Sequence, residues 1–374
     1  MYDDDLIVLL CLLDFSKAFD EVIHKLLLIK LEHLFGFSET AIKLMASYLQ
    51  NRMQRVKVNG QFSDYRTIHS GVPQGSILGP LLFSLFINDL LNLPLSSQIH
   101  AYADDVQLYM GRPLGLTEDL FCRMNEDLQL VLGWASENGL LLNVKKSFSI
   151  PISRNNLDFK DLPELFIGDT PISLVNKARN LGVVVNSKLT CVDHVNKTVG
   201  KIYAALRGLR VSAQYTPLEV RSRLAKQLLM PIFMYANVVY CKLDSASSHK
   251  IQVAFNSVLR YVYDLKTFEH VSESAVTFLN CTFENYCDIA NLTFLHRLIN
   301  KEKPAYLFEK VSFLRSSRSR VMLAPQCNFL NSSRYFFVHT IRRWNNLPES
   351  LRKIDSEPGF KRSLFTKYKT QKLL

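Results

Sequence analysis

The sequence predicts an α+β fold: a mixed strand-and-helix half over residues 1–190, a helical unit over 191–300, and a basic C-terminal region over 301–374. Three observations predict it. Short apolar or alternating runs between turn signals read as strands in the first half, interleaved with segments of helical period. From Val192 the apolar spacing is almost wholly helical, punctuated by Pro217 and Pro231. Beyond Pro304 that spacing weakens and Lys and Arg accumulate.

Taken in order, Leu6–Phe15 reads as a buried strand that ends on an aspartate. Asp20–Phe35 has helical period and stops at Gly36, and Ser38 is a candidate N-cap for a helix through Leu49. Gln54–Asn59, the turn signal Asn59-Gly60 and Asp64–His69 form a candidate hairpin. Gly71–Gly79 is a Gly- and Pro-containing loop that leads into an apolar helix, Leu81–Leu91. Ile99–Met110 alternates around Asp104-Asp105, which places two acids at a hairpin bend. Thr117–Asn138 is an amphipathic helix ended by Gly139. Lys146–Ile152 and Asn180–Val185 are short strands.

Composition narrows the function classes. A chain of 374 residues, 48% of them hydrophobic, can bury two or three compact cores. Seven irregularly spaced cysteines do not form a disulfide framework and point to an intracellular setting, cytoplasm or nucleus. Cys281, Cys287 and His296 lie in an apolar-periodic stretch and read as core rather than as zinc ligands. The acidic start, Asp3-Asp4-Asp5, argues against a signal peptide and reads as a solvated terminus. The apolar run Leu6–Leu13 is too short to span a bilayer, so no membrane partner is expected. Residues 301–374 carry 16 Lys+Arg against 5 Asp+Glu, which accounts for the whole formal charge of +11. That placement suits a polyanion partner.

Three strings carry the chemistry. They are Asp14-Phe15-Ser16-Lys17-Ala18-Phe19-Asp20, then Gly71-Val72-Pro73-Gln74-Gly75-Ser76 running on to Leu78-Gly79-Pro80, and Tyr102-Ala103-Asp104-Asp105. Nucleotidyl transfer uses two divalent ions about 3.5–4 Å apart to clamp the attacking and leaving oxygens. Mg²⁺ takes oxygen ligands, and clustered carboxylates need a counter-cation: a unit pair at about 4 Å repels by roughly 4 kcal/mol at an effective dielectric near 20. An aspartate at a strand end facing a hairpin bend that carries others supplies such a cluster. Asp14 and Asp104 are therefore the candidate catalytic metal ligands, with Asp105 as the supporting acid of the same set. Gly71 and Gly75 would let backbone approach nucleic acid closely, and Gln74 could donate to a template or base edge. No Gly-Lys-Ser/Thr follows, so the loop is not a Walker A phosphate cradle.

Together these strings resemble motifs A, B and C of reverse transcriptases. The run Asp14–Asp20 followed by His24, and the run from Gly71 to Pro80 followed by Phe86-Ile87-Asn88-Asp89, resemble the non-LTR retrotransposon class. Ile341-Arg342-Arg343-Trp344-Asn345-Asn346-Leu347-Pro348 is similar to the C-terminal part of jockey-like elements. The resemblance implies a right-handed polymerase palm, a helical thumb and a basic C-terminal region. It implies RNA-directed DNA synthesis with two Mg²⁺ (Mn²⁺ as the alternative), an RNA template, a DNA primer and deoxynucleoside triphosphates. Phe15, Phe19, Gln74, Gly75 and Lys145 would bind the nucleotide, Phe19 as the steric gate against ribose and Lys145 as the motif D lysine. Gly71, Pro73, Gln74, the primer-grip pair Leu181 and Gly182, and tail residues Arg342, Arg343, Lys361 and Arg362 would touch nucleic acid, with Trp344 and Phe360 close by as candidate stacking rings. Because motif A begins at residue 14, the fingers that the family places before it are expected to be missing and the chain to be N-terminally truncated. Ala103 and Phe19 argue against an RNA-dependent RNA polymerase. The rival from another class is a catalytically inactive nucleic-acid-binding remnant.

Overall fold

The computed structural model describes residues 6–314, 320–325 and 335–370; the acidic stretch Asp3-Asp4-Asp5 lies outside them. The chain divides into two units, one of Met1–Gly182 with Asn186–Leu189, the other of Val183–Val185 with Thr190–Leu374.

The first unit is built on a six-stranded sheet. Its central strand, Leu6–Leu13, pairs antiparallel with Asp105–Pro113 on one side and with Phe148–Ile152 on the other. Alternation decides which face is buried: Ile7, Leu9, Cys11 and Leu13 point into one core. They pack among the helices His24–His33, Gly79–Phe86 and Thr117–Glu137, which supply Leu27, Leu31, Phe83, Phe86, Phe121 and Leu128. Gln98–Tyr102 closes one edge of the sheet as the hairpin partner of Asp105–Pro113. Thr170–Leu174 joins the other edge, parallel to Phe148–Ile152, with Leu165–Ile167 beyond it.

Several local expectations hold. Ser38 caps the helix Glu39–Leu49 by accepting from the Ala41 amide, and the helix Thr117–Glu137 ends before Gly139, whose φ is +67°. Others shift. The first helix starts at His24 rather than Asp20, because residues 17–20 turn instead, with Lys17 in the left-handed region at φ +50°. Asn180–Val185 is not one strand: the strand Lys177–Asn180 ends at a turn with Leu181 at φ +43° and Gly182 at φ +82°.

The second unit is helical, with Val192–Val211, Ser245–Tyr263 and Phe283–Lys301 as its longest helices. The expected separate region 301–374 does not stand apart. Its helices Phe336–Asn345 and Glu357–Thr370 bury Ile341, Trp344, Phe360 and Leu364 in the same core as Phe255 and Leu295. The helical period of these apolar positions outweighs the basic composition around them. Cys281 and His296 are buried in this core, His296 stacked on Phe360 at 4.3 Å. Among the described residues no group of three or more His, Cys, Asp or Glu could hold a metal as it stands, and no helix is long and apolar enough to cross a membrane.

Candidate active site

Register brings the acids together. Leu13 pairs with Val106, so the chain leaves the central strand at Asp14 beside the start of the strand that opens with Asp105. Tyr102 pairs with Asp105, leaving Ala103 and Asp104 as the two bend residues. Ala103 sits at φ +53°, a conformation that costs a residue with a Cβ and is often met where function holds the backbone. The Asp14 amide donates to Ser147 Oγ at 3.2 Å, and the Asn143 amide donates to the Asp14 carbonyl at 2.8 Å. Asp14 is thus clamped from the segment that carries Lys145 and Lys146.

Electrostatics mark the acids as one cluster. Burial pushes the Asp105 carboxyl above its usual range, and the negative charges of Asp104 and Asp14 push it further. Lys146 Nζ lies 3.9 Å from the Asp14 carboxylate, and both groups are open enough to water that this pair holds them loosely. The donor set is hard carboxylate oxygen whose members repel one another, so it fits a hard divalent cation by chemistry. The acids do not form a closed cage, and the remaining ligands would be oxygens from outside the protein.

A cavity of about 550 Å³ opens beside the acids. Asp14 and Asp105 line it together with Lys145, Lys146, Arg179 and the Leu181-Gly182 turn. That turn is held by a reciprocal amide pair, Gln107 to Asn180 at 3.1 Å and Asn180 to Gln107 at 3.0 Å. Lys145, Leu181 and Gly182, three residues singled out from sequence, therefore share one concavity with the acids. Lys146 and Arg179 were missed. The Lys145-Lys146 doublet was a visible signal; nothing local marked Arg179.

The loop Gly71–Leu78 is zipped to the segment after Asp14. Gly71 N–H donates to the Val22 carbonyl and Val72 N–H to the Phe19 carbonyl, each at 2.8 Å, and His24 Nε2 donates to the Gly71 carbonyl at 2.7 Å. A Cβ on Gly71 would lie 2.8 Å from Asp20 backbone atoms, so this glycine serves an internal contact rather than approach of a ligand. Gly75 sits at φ +80° with open space around it. Gln74 is exposed and donates through Nε2 to Asp20 Oδ1 at 2.9 Å, which leaves its amide oxygen for another partner. Pro73 is half-buried beside it.

Phe19 is half-buried and stacks on Phe83 of the next helix, with centroids 4.2 Å apart. Phe15 is different. Its ring is 3% exposed and meets Trp134 edge-on, so its side chain belongs to the core and cannot line a nucleotide. One support was not foreseen: Lys30, buried on an apolar helix face, donates to the Phe86 carbonyl at 2.8 Å and to Asp89 at 2.7 Å. It also lies over the rings of Phe86 and Trp134. Asp89, quoted above for its resemblance, is thus the partner of a buried cation at the end of the Gly79–Phe86 helix.

In the tail the picture is mixed. Lys361 and Arg362 are exposed, as is Arg342. Arg343 is held by Asp288 at 3.1 Å and by Glu284 at 3.6 Å. Trp344 and Phe360 are fully buried, so neither ring can stack on a base.

Residues 6–168 match the family described as reverse transcriptase (RNA-dependent DNA polymerase). The probable RNA-directed DNA polymerase from transposon BS of Drosophila melanogaster is 27% identical over 265 residues, 67% of this chain and 28% of that protein. The RNA-directed DNA polymerase from mobile element jockey of Drosophila funebris is 26% identical over 262 residues, again 67% and 28%. Residues 6–168 thus carry a reverse transcriptase domain, and the chain is similar to RNA-directed DNA polymerases of non-LTR retrotransposons. It spans about 28% of the length of these relatives. Among solved structures, telomerase from Candida tropicalis is similar at a TM-score of 0.39 and 14% identity, over 78% of this chain and 46% of that one. The acids at the sheet end, the loop at residues 71–78 and the cavity beside Lys145 all come from the first unit.

Proposed function

We propose that the first unit is the palm of an RNA-directed DNA polymerase that extends a DNA primer on an RNA template with deoxynucleoside triphosphates, in an intracellular compartment. The second unit would serve as thumb and C-terminal region. The observation that carries the reading is the convergence of Asp14, Asp104 and Asp105 at one sheet end, where burial and mutual repulsion raise the Asp105 carboxyl. Asp14 and Asp104, supported by Asp105, would hold two Mg²⁺, which when bound stabilise charge on the attacking and leaving oxygens. Lys145, Lys146 and Arg179 would balance triphosphate charge and orient it, the positioning on which phosphoryl transfer depends. Phe19, braced by Phe83, would wall the sugar side. Gln74, its amide nitrogen committed to Asp20, would offer its oxygen to a base edge.

The test is primer extension on an RNA template with Mg²⁺. Asp104→Asn should lower the rate by at least about 10²–10³, the usual cost of losing one preorganised electrostatic group. Activity within tenfold of the parent would refute the assignment. The second reading, an inactive nucleic-acid binder, draws on the absence of a closed acidic cage among the described residues. It predicts tight primer-template binding with no extension under any divalent ion.

A further inference from the structure

Between the helix Glu39–Leu49 and the loop at Gly71 the chain forms a ribbon that serves neither core. Met53–Gln54 pairs with Arg66–Thr67, and Lys57–Val58 pairs with Gln61–Phe62 around the Asn59-Gly60 turn. Every residue from Met53 to Thr67 is exposed. A two-stranded ribbon without a packed face is marginal in water, so its composition calls for a reason. It carries Arg52, Arg55, Lys57 and Arg66 against the single acid Asp64. Its cations lie on its own rings: the Arg55 guanidinium is 3.8 Å from the Phe62 centroid and 4.7 Å from that of Tyr65, and Lys57 Nζ is 5.0 Å from Phe62. The ribbon thus sets cations directly beside planar aromatic faces. Phe62 and Tyr65 nonetheless remain 50% and 58% exposed.

The ribbon is also continuous with the site. Arg52 donates to the Tyr48 carbonyl and stacks over the Tyr48 ring, and Tyr48 OH donates to Ser76 Oγ in the loop that carries Gln74. A groove of about 1040 Å³ runs from Arg52 and Gln54 past His69 to Gly71 and Gln74.

We propose that residues 52–69 are a binding arm for single-stranded nucleic acid, which they guide along this groove toward Gln74. Arg52, Arg55, Lys57 and Arg66 take phosphates, while Phe62 and Tyr65 take bases. Planar groups interleaved with cations suit a strand whose bases are unpaired, because a duplex would hide the faces that stack. Only the identification of that strand as template rests on the polymerase reading. Binding is measured without nucleotide or metal, so failure of one is distinguishable from failure of the other.

The experiment is fluorescence anisotropy of a labelled oligoadenylate of about 15 nucleotides against the full chain across a salt series. Replacing Arg55, Lys57 and Arg66 together by Gln should make the slope of log K against log salt shallower by about 2, at about 0.7 per phosphate contact on a single strand. Phe62→Ala should weaken binding by about tenfold with the slope kept, and should have little effect on an abasic strand of equal length. Thermal melting should be unchanged in both variants, since the ribbon packs into neither core. A triple-variant slope within about half a unit of the parent overturns the proposal. So does unchanged affinity in Phe62→Ala. Concentration-dependent dimerisation lost in Phe62→Ala while oligoadenylate affinity holds would assign the surface to a second copy of this chain and equally overturn it.

Discussion

Gly71→Ala tests the claim that the loop at residues 71–78 is locked to the segment after Asp14. Two costs add. At φ +88° an alanine is in a conformation that disfavours a Cβ, at about 1–2 kcal/mol. That Cβ would also stand 2.8 Å from Asp20 Cα and O and 2.9 Å from Phe19 O. These are backbone atoms that cannot rotate aside, so the loop or the Phe19-Asp20 turn must move, an overpacking cost of about 1–3 kcal/mol. The total is roughly 2–5 kcal/mol of first-unit stability. Gly75→Ala is the internal control: φ is +80° but nothing lies within 4 Å, so only the conformational cost of about 1–2 kcal/mol applies. Amide exchange of a peptide covering Leu6–Leu13, followed through a urea titration, reads the first unit separately from the second. Displacement should also break the His24–Gly71 bond and turn Gln74 away from Asp20. If Gly71→Ala costs no more than Gly75→Ala, the contact with Asp20 is not what requires glycine, and the zipped loop is wrong.

The other outcomes are simpler. Phe19→Val should admit ribonucleotides while deoxynucleotide extension persists, scored by single-nucleotide incorporation; unchanged discrimination would leave Phe19 a packing residue on Phe83. Lys30→Met should cost the first unit about 1–3 kcal/mol in urea unfolding, since charge-assisted hydrogen bonds are lost while the stem still packs on Phe86 and Trp134. Adding Asp89→Leu should recover part of that loss, because an unpaired acid is then removed as well; no recovery would mean that Asp89 is not the partner that matters. The second unit should weaken on acidification. Burial holds the His296 imidazole below its ordinary value of 6.5, so below that pH the unfolded chain binds the proton more readily than the folded one. Stability is then full above 6.5 and falls as pH drops below it. His194, lowered for the same first reason, acts in the same direction. Urea midpoints across pH should show the slope, and His296→Gln should flatten it; a parent midpoint constant from neutral pH into the acid range would contradict it.

How much of this was legible depends on whether a signal is local. Alternation in Leu6–Leu13 and the acid pair in an alternating run were enough to place three carboxylates at one sheet end, because strand period and hairpin pairing are short-range rules. Strands Leu165–Ile167 and Thr170–Leu174 escaped notice because they are short and Pro171 breaks the pattern of the second, where it sits next to the strand's first residue. Lys30 was invisible as a support because its partner Asp89 is 59 positions away. Phe15 lies one residue from a catalytic candidate, yet the strand pleat turns it to the opposite side, into the core. Adjacency in sequence was a poor guide there and period a good one.

The same distinction bears on where nucleic acid would be held. By net charge the tail is the obvious binder, since residues 301–374 contain the entire excess. Charge count ignores burial and pairing. Arg343 is held by Asp288 and Glu284, Arg352 is 7% exposed and donates to the Asn345 and Leu347 carbonyls, and Arg320 pairs with Asp355 at 3.0 Å. Part of the tail's positive charge is therefore committed to partners within the fold. The ribbon at residues 52–69 has a smaller excess, but its side chains are exposed and interleaved with aromatic rings. Affinity for a polyanion follows the cations that can meet phosphate, not the formal sum. On that reasoning Lys361 and Arg362, both exposed on the last helix, remain the tail's candidates for contact. The ribbon would give the reverse transcriptase domain a hold on nucleic acid that does not depend on the tail.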